Sequence, residues 1–179
     1  MPGLRSRTDG PQVHSSHPWP SGRRAYIVLL PCPGLGGIVA IELVPLCTMR
    51  VQGKPPVEIG TGPAGTRLVF EVTNVEVHGD RLRGQMEGIA GDWILIGPEG
   101  TGTIDVRATL RTDDGASIFV QYNGRLDASR GLQLPMTVYV APRFETGDER
   151  YAWLNRVQAV GKGTINEDLS VDYEWCEVR

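Results

Sequence analysis

The chain has 179 residues, a formal net charge of −3 and 22% charged residues, which fits one domain able to bury a core and offers no basic surface for nucleic acid or an anionic membrane. Its 23 glycines and 13 prolines weigh against a helical architecture, because each weakens a helix interior. The three cysteines, Cys32, Cys47 and Cys176, are odd in number and show no CxxC spacing, so a disulfide scaffold or structural zinc site is not expected and a reducing, cytoplasmic setting is.

Residues 1–40 differ from the rest of the chain. "MPGLRSRTDGPQVHSSHPWPSGRR" mixes Pro, Ser, Gly and Arg without hydrophobic periodicity, and is expected to be disordered or poorly structured. The next run, "AYIVLLPCPGLGGIVA", is broken by prolines and glycines and is shorter than the ~20 residues of a bilayer span. The basic residues sit too far from the start for a signal peptide. The expectation is an N-terminal extension over 1–40 and one folded domain over 41–179.

From Ile41 the chain reads as short strands punctuated by turns. "IELVPLCTMRV" (41–51) alternates, with Pro45 marking an edge or a bulge. "TRLVFEVTNVEV" (66–77), "RLRGQMEG" (81–88), "DWILIG" (92–97) and "TIDVRATLRT" (103–112) come next. Asp113-Asp114-Gly115 supplies a turn before "SIFVQYNG" (117–124). "LPMTVYVAP" (134–142), "LNRVQAVGKGTIN" (154–166) and "LSVDYEWCEV" (169–178) complete the set. In "TGDERYAWL" (146–154), Thr146 and Glu149 have capping-box spacing for a short helical turn. Strands at this spacing without a long helical pattern predict an all-β sandwich or barrel.

Within "TIDVRATLRT", Asp105, Arg107, Thr109 and Arg111 share one face and Val106, Ala108 and Leu110 the other. The polar stripe either faces water, where an Asp105–Arg107 pair is worth little, or it lines a cavity.

Several segments, in order and spacing, resemble the domain-of-unknown-function family 3237. They are "VEIGTGPAGTRLVFEVTN", "RLRGQMEGIAGDW", "IDVRATLRTDDGASIFVQYNGR" and "PRFETGDERYAWLNRVQAVGKG". The most specific parts are Asp92-Trp93, Asp105-x-Arg107 followed by Thr112 to Gly115, and Tyr151 to Asn155. Where that family carries paired glycines, this chain reads Ile89-Ala90-Gly91 and Thr73-Asn74. The resemblance implies a closed antiparallel β-barrel of about eight strands, lipocalin-like or allene-oxide-cyclase-like. It implies no particular reaction. It does favour the lumen for Asp105 and Arg107, because Asp-x-Arg is one of the matching motifs.

Asp92 begins a strand after a glycine-rich loop, a position suited to a barrel mouth. Beside Trp93 its carboxyl would be partly desolvated and its pKa raised toward acid/base use; the competing reading is a turn-capping Asp and a core Trp. Tyr151, Trp153 and Asn155 either offer a ligand stacking surface and an amide, or plug one end of the barrel. Asp113 and Asp114 read as turn residues, and His78 as an exposed histidine at a hairpin end. No GxSxG, P-loop, helix-opening GxGxxG or HExxH is present, so no cofactor and no metal is expected. These residues point to a cofactor-independent enzyme doing isomerase, cyclase or lyase chemistry on a small, partly apolar metabolite. Asp92 or Asp105 would move the proton and Arg107 would steady a developing oxyanion. The alternatives are a lipocalin-like carrier and a scaffold barrel with a filled core. A homodimer is plausible; nucleic acid and membrane are not expected as partners.

Overall fold

The computed structural model describes residues 26–30 and 39–179. Every extended segment expected from Ile41 onward contains a strand, although that of 81–88 is confined to Gly84–Met86 and that of 154–166 begins only at Ala159, after a 3-10 helix. The described strands are β1 (Tyr26–Leu30), β2 (Val39–Gly53), β3 (Val57–Gly62), β4 (Gly65–His78), β5 (Gly84–Met86), β6 (Ala90–Ile96), β7 (Thr101–Thr112), β8 (Ser117–Asp127), β9 (Met136–Glu145), β10 (Ala159–Ile165) and β11 (Val171–Val178). β1 lies within the expected N-terminal extension and pairs antiparallel with residues 39–43 of β2. The rest of that extension, with the disorder expected for it, falls outside the described residues.

The strands close into an eight-position antiparallel barrel. The order runs β2, β11, β10, β9, β8, β7, then a position shared by β5 and β6, then β4, which returns to β2. Thr48 to Gly53 of β2 seal the ring against residues 72–78 of β4. β1 and β3 sit outside the ring, on β2 and on the start of β4. The strand β3 was not anticipated from the sequence. Closure leaves the barrel wall itself without free strand edges. Among the described residues, no helix is long and apolar enough to cross a membrane.

Period-two patterning decides which residues fill the lumen. On β7, Ile104, Val106, Ala108 and Leu110 are buried, while Asp105, Arg107, Thr109 and Arg111 alternate with them on the outer face. The lumen reading of Asp105 and Arg107 is thereby overturned. Turning β7 over would expose four apolar side chains and drive charges into a narrow interior, at several kcal/mol for each unpaired ion. On β8, Ile118, Val120 and Tyr122 face in; on β11, Tyr173 and Trp175 do.

These rings fill one half of the lumen. Trp175 packs edge-on against Tyr122 and Phe144, with centroids 5.4 and 6.0 Å apart. Facing them on β10, Gly161 and Gly163 leave room for the rings of Trp175 and Tyr173, which a Cβ at either position would strike. Pro45 marks a bulge, as the sequence led one to expect: Trp175 pairs with Cys47 but Cys176 pairs with Pro45, skipping Leu46.

A 3-10 helix over Glu149–Arg156 closes this filled end, with Leu154 fully buried beneath it. Its N-cap is Asp148, whose carboxylate accepts from the Arg150 N–H, and not Thr146. Thr146 instead braces the approach: its Oγ1 accepts from the Asp148 N–H, and Asn155 bonds its N–H and C=O.

Candidate functional site

A cavity of about 110 Å³ occupies the other half of the lumen. Strand ends remote from the 3-10 helix build it: Val51 and Gly53 of β2, Leu68, Phe70 and Val72 of β4, and Ile165 and Val171 beside the β10–β11 turn. The β8–β9 connection adds Leu132 and Leu134, and the β10–β11 turn adds Leu169. Leu132 is 50% exposed, so these leucines mark where the cavity opens to solvent. Leu169 holds this place with a positive φ of 65°, a conformation that costs a non-glycine residue on the order of 1 kcal/mol.

Almost all of the lining is apolar. Its polar side chains are Asp92 from β6, Tyr122 from β8 and Tyr173 from β11. Asp92 faces in because β6 alternates: Ala90, Asp92 and Ile94 point to the lumen, whereas Trp93 points out and is 39% exposed. Its Oδ1 accepts a hydrogen bond from the Asp105 backbone N–H at 3.2 Å. Burial pushes its pKa from 3.8 up to about 7, partly offset by that N–H and reinforced by the negative charge of Asp105.

The two phenols are held neutral. Tyr122 is raised well above 10 by burial, then by Tyr173 and by the Asp92 carboxyl. Tyr173 rises for the same first reason, with Asp92 the next contributor. The result is a proton-exchanging carboxyl poised near neutrality beside two O–H groups that keep their protons. Such a set can take a proton from carbon and stabilise the oxygen that becomes negative.

The residues expected from the sequence divide between three places. Asp92 alone of the candidate catalytic residues reaches the lumen. Asp105 and Arg107 pair outside at 3.4 Å, Asn123 donates to Asp105 at 3.3 Å, and the Arg107 guanidinium lies 5.7 Å from the Trp93 ring. Trp93 is thus a surface partner of Arg107 and not a pocket wall.

Tyr151, Trp153 and Asn155 sit on the 3-10 helix and line no part of the cavity; the plug reading is the one observed. The Tyr151 hydroxyl donates to Asp114, Trp153 stacks under Arg81 at 4.6 Å, and Asn155 ties Thr146. Thr112 and Asp114 organise the β7–β8 turn, as Thr112 Oγ1 donates to Asp114 and accepts from the Ala116 N–H. Among the described residues, no group of three or more His, Cys, Asp or Glu is placed to hold a metal ion.

Tyr122 and Tyr173 were missed, although the signal was present. "VDYEW" alternates apolar with polar, and in "SIFVQY" Ile118, Val120 and Tyr122 share one face opposite Ser117, Phe119 and Gln121, which places each tyrosine on the inward face of its strand.

Residues 41–178 match the model of the family described as "Protein of unknown function (DUF3237)". The chain belongs to this family. Membership of DUF3237 agrees with the resemblance carried by the Asp92-Trp93 and Asp105-x-Arg107 segments. A UPF0311 protein of Rhodopseudomonas palustris is 30% identical over 125 residues, 64% of this chain and 80% of that protein. A β-barrel-like protein of Acinetobacter baumannii is 28% identical with a TM-score of 0.71, covering 81% of this chain and all of that one. An enzyme of Penicillium herquei is 26% identical with a TM-score of 0.57, covering 76% of this chain and 92% of its own. The DUF3237 fold of this chain is therefore shared with solved barrels, one of which is an enzyme.

Proposed function

We propose that this DUF3237 barrel is a cofactor-independent enzyme that moves a proton on a small, partly apolar substrate held in the lumen. One observation carries the reading: among the described residues the cavity is lined by a single carboxyl, Asp92, whose pKa of about 7 lets it both take and return a proton at neutral pH. In the ionised state, Asp92 takes a proton from carbon next to a carbonyl group. The C–H electron pair becomes the C=C bond of an enolate, and the carbonyl π pair moves to oxygen. Tyr122 or Tyr173 donates a hydrogen bond to that oxygen. Asp92, now protonated, returns the proton to the same carbon or to a neighbouring one. Atoms and electrons balance without an oxidant, and the outcome is exchange, isomerisation or the first half of an elimination or cyclisation. The Penicillium herquei protein, an enzyme similar to this chain in fold, lends support.

The apolar lining favours one competing reading, a carrier of the same molecules. The two separate in deuterium oxide. With a small cyclic ketone, the enzyme reading expects loss of the α-hydrogen signals in the proton spectrum, faster than in buffer and abolished by Asp92→Asn. Binding without such exchange would leave the carrier.

A further inference from the structure

Resting on that reading of Asp92, the lining also limits what the site accepts. We propose that the lumen selects uncharged molecules, with an apolar ring or branch of about five or six non-hydrogen atoms and a hydrogen-bond-accepting oxygen, and rejects carboxylates.

Size comes first. An apolar cavity of about 150 Å³ accommodates benzene, so about 110 Å³ suits a ring of five or six atoms. A longer substituent can leave only past Leu132, Leu134 and Leu169, where the cavity opens. Charge comes second. Among the described residues, no lysine, arginine or histidine lines the cavity, and the nearest guanidinium of β7, Arg107, stands on the outer face over Trp93. A buried carboxylate ligand would meet Asp92 and two phenols with no counter-ion, at a cost in affinity of at least about tenfold.

A cationic amine would find one carboxylate but lose its hydration to an otherwise apolar wall, and the pair would tie up the proton-transfer group. An oxygen acceptor meets a better-matched partner. Tyr122 and Tyr173 present O–H groups that stay protonated, on β8 and β11, while Asp92 comes from β6.

Three probes of one shape test this on the full chain: cyclopentanone, cyclopentanecarboxylate and cyclopentylammonium, followed by 1H–15N spectra at pH 8. Cyclopentanone is expected to shift the amides of Asp92, Tyr122 and Tyr173 saturably. The carboxylate should need at least about tenfold more for the same shifts, and the ammonium ion should bind more weakly than the ketone. Equal or tighter binding of either ion, or no lumen shift with the ketone, would overturn the proposal.

Deuterium exchange at the ketone's α-carbons, recorded on parallel samples in deuterium oxide, keeps the two readings apart. Ketone binding without exchange sinks the enzyme and leaves the selectivity standing. Ketone exchange together with tight carboxylate binding does the reverse.

Discussion

The backbone N–H of Asp105 donates to Oδ1 of Asp92 at 3.2 Å, yet the two carboxyls lie on opposite faces of the barrel wall. Asp92 lines the cavity, while Asp105 pairs with Arg107 outside it. The peptide of β7 therefore holds the lumenal carboxyl, whereas the Asp105 side chain touches it only through charge.

Asp105→Asn and Arg107→Gln should leave the fold intact and the exchange activity at neutral pH within a few-fold of the native protein. An exposed ion pair of this kind contributes about 0–1 kcal/mol. Asp105→Asn keeps the backbone donor and removes the like charge, so the pH midpoint of the exchange rate should move down. A rate-versus-pH profile measures both; a hundredfold loss in either variant would restore a direct role to the pair.

Asp92→Asn should stabilise the protein in a pH-dependent way. The folded-state pKa of about 7 lies above the ordinary 3.8, so between these values the folded state holds more protons than the unfolded one. Native stability then falls as pH rises from about 4 and levels off above about 7. The asparagine variant lacks this loss. Its advantage should be near zero at pH 4 and reach at most about 4 kcal/mol at pH 8. Urea denaturation at the two pH values checks it; an advantage of the same size at both would show that Asp92 does not titrate in this window.

Tyr122→Phe and Tyr173→Phe should separate binding from chemistry. If the phenols stabilise a developing oxyanion, the variant lacking the operative donor should lose on the order of 10²-fold in exchange rate, with a smaller change in ketone affinity. Because both phenols keep their protons above pH 10, the native rate should rise once, through about pH 7, and stay level to pH 9. Steady-state rates over that range decide it, and a second descending limb near pH 8 would contradict neutral phenols.

Gly161→Ala should destabilise the filled half of the barrel by about 1–3 kcal/mol, the usual cost of overpacking. The added methyl would press on the Trp175 indole, which is locked between Tyr122 and Phe144. Thermal melts with tryptophan fluorescence would register the loss, and an unchanged Tm would mean that the ring can yield.

Strand positions and the all-β class were legible because glycine and proline punctuate runs with a two-residue period. The motifs at Asp92-Trp93 and Asp105-x-Arg107 identified the family. The strand β3 was not read, since Val57 to Gly62 is short and largely exposed; nor was the true cap of the 3-10 helix, where Asp148 and Thr146 both offer a suitable side chain.

What the sequence determined by itself is the alternation on each strand: Asp105 and Arg107 opposite Val106 and Ala108, and Tyr122 in phase with Val120. Alternation states that two faces differ but not which one is the lumen. Only closure of the eight positions decided that, by making the inner face too narrow to hydrate charge and large enough to bury Val106, Tyr122 and Trp175. The same closure brought Asp92, Tyr122 and Tyr173 together from three strands that no local spacing connects.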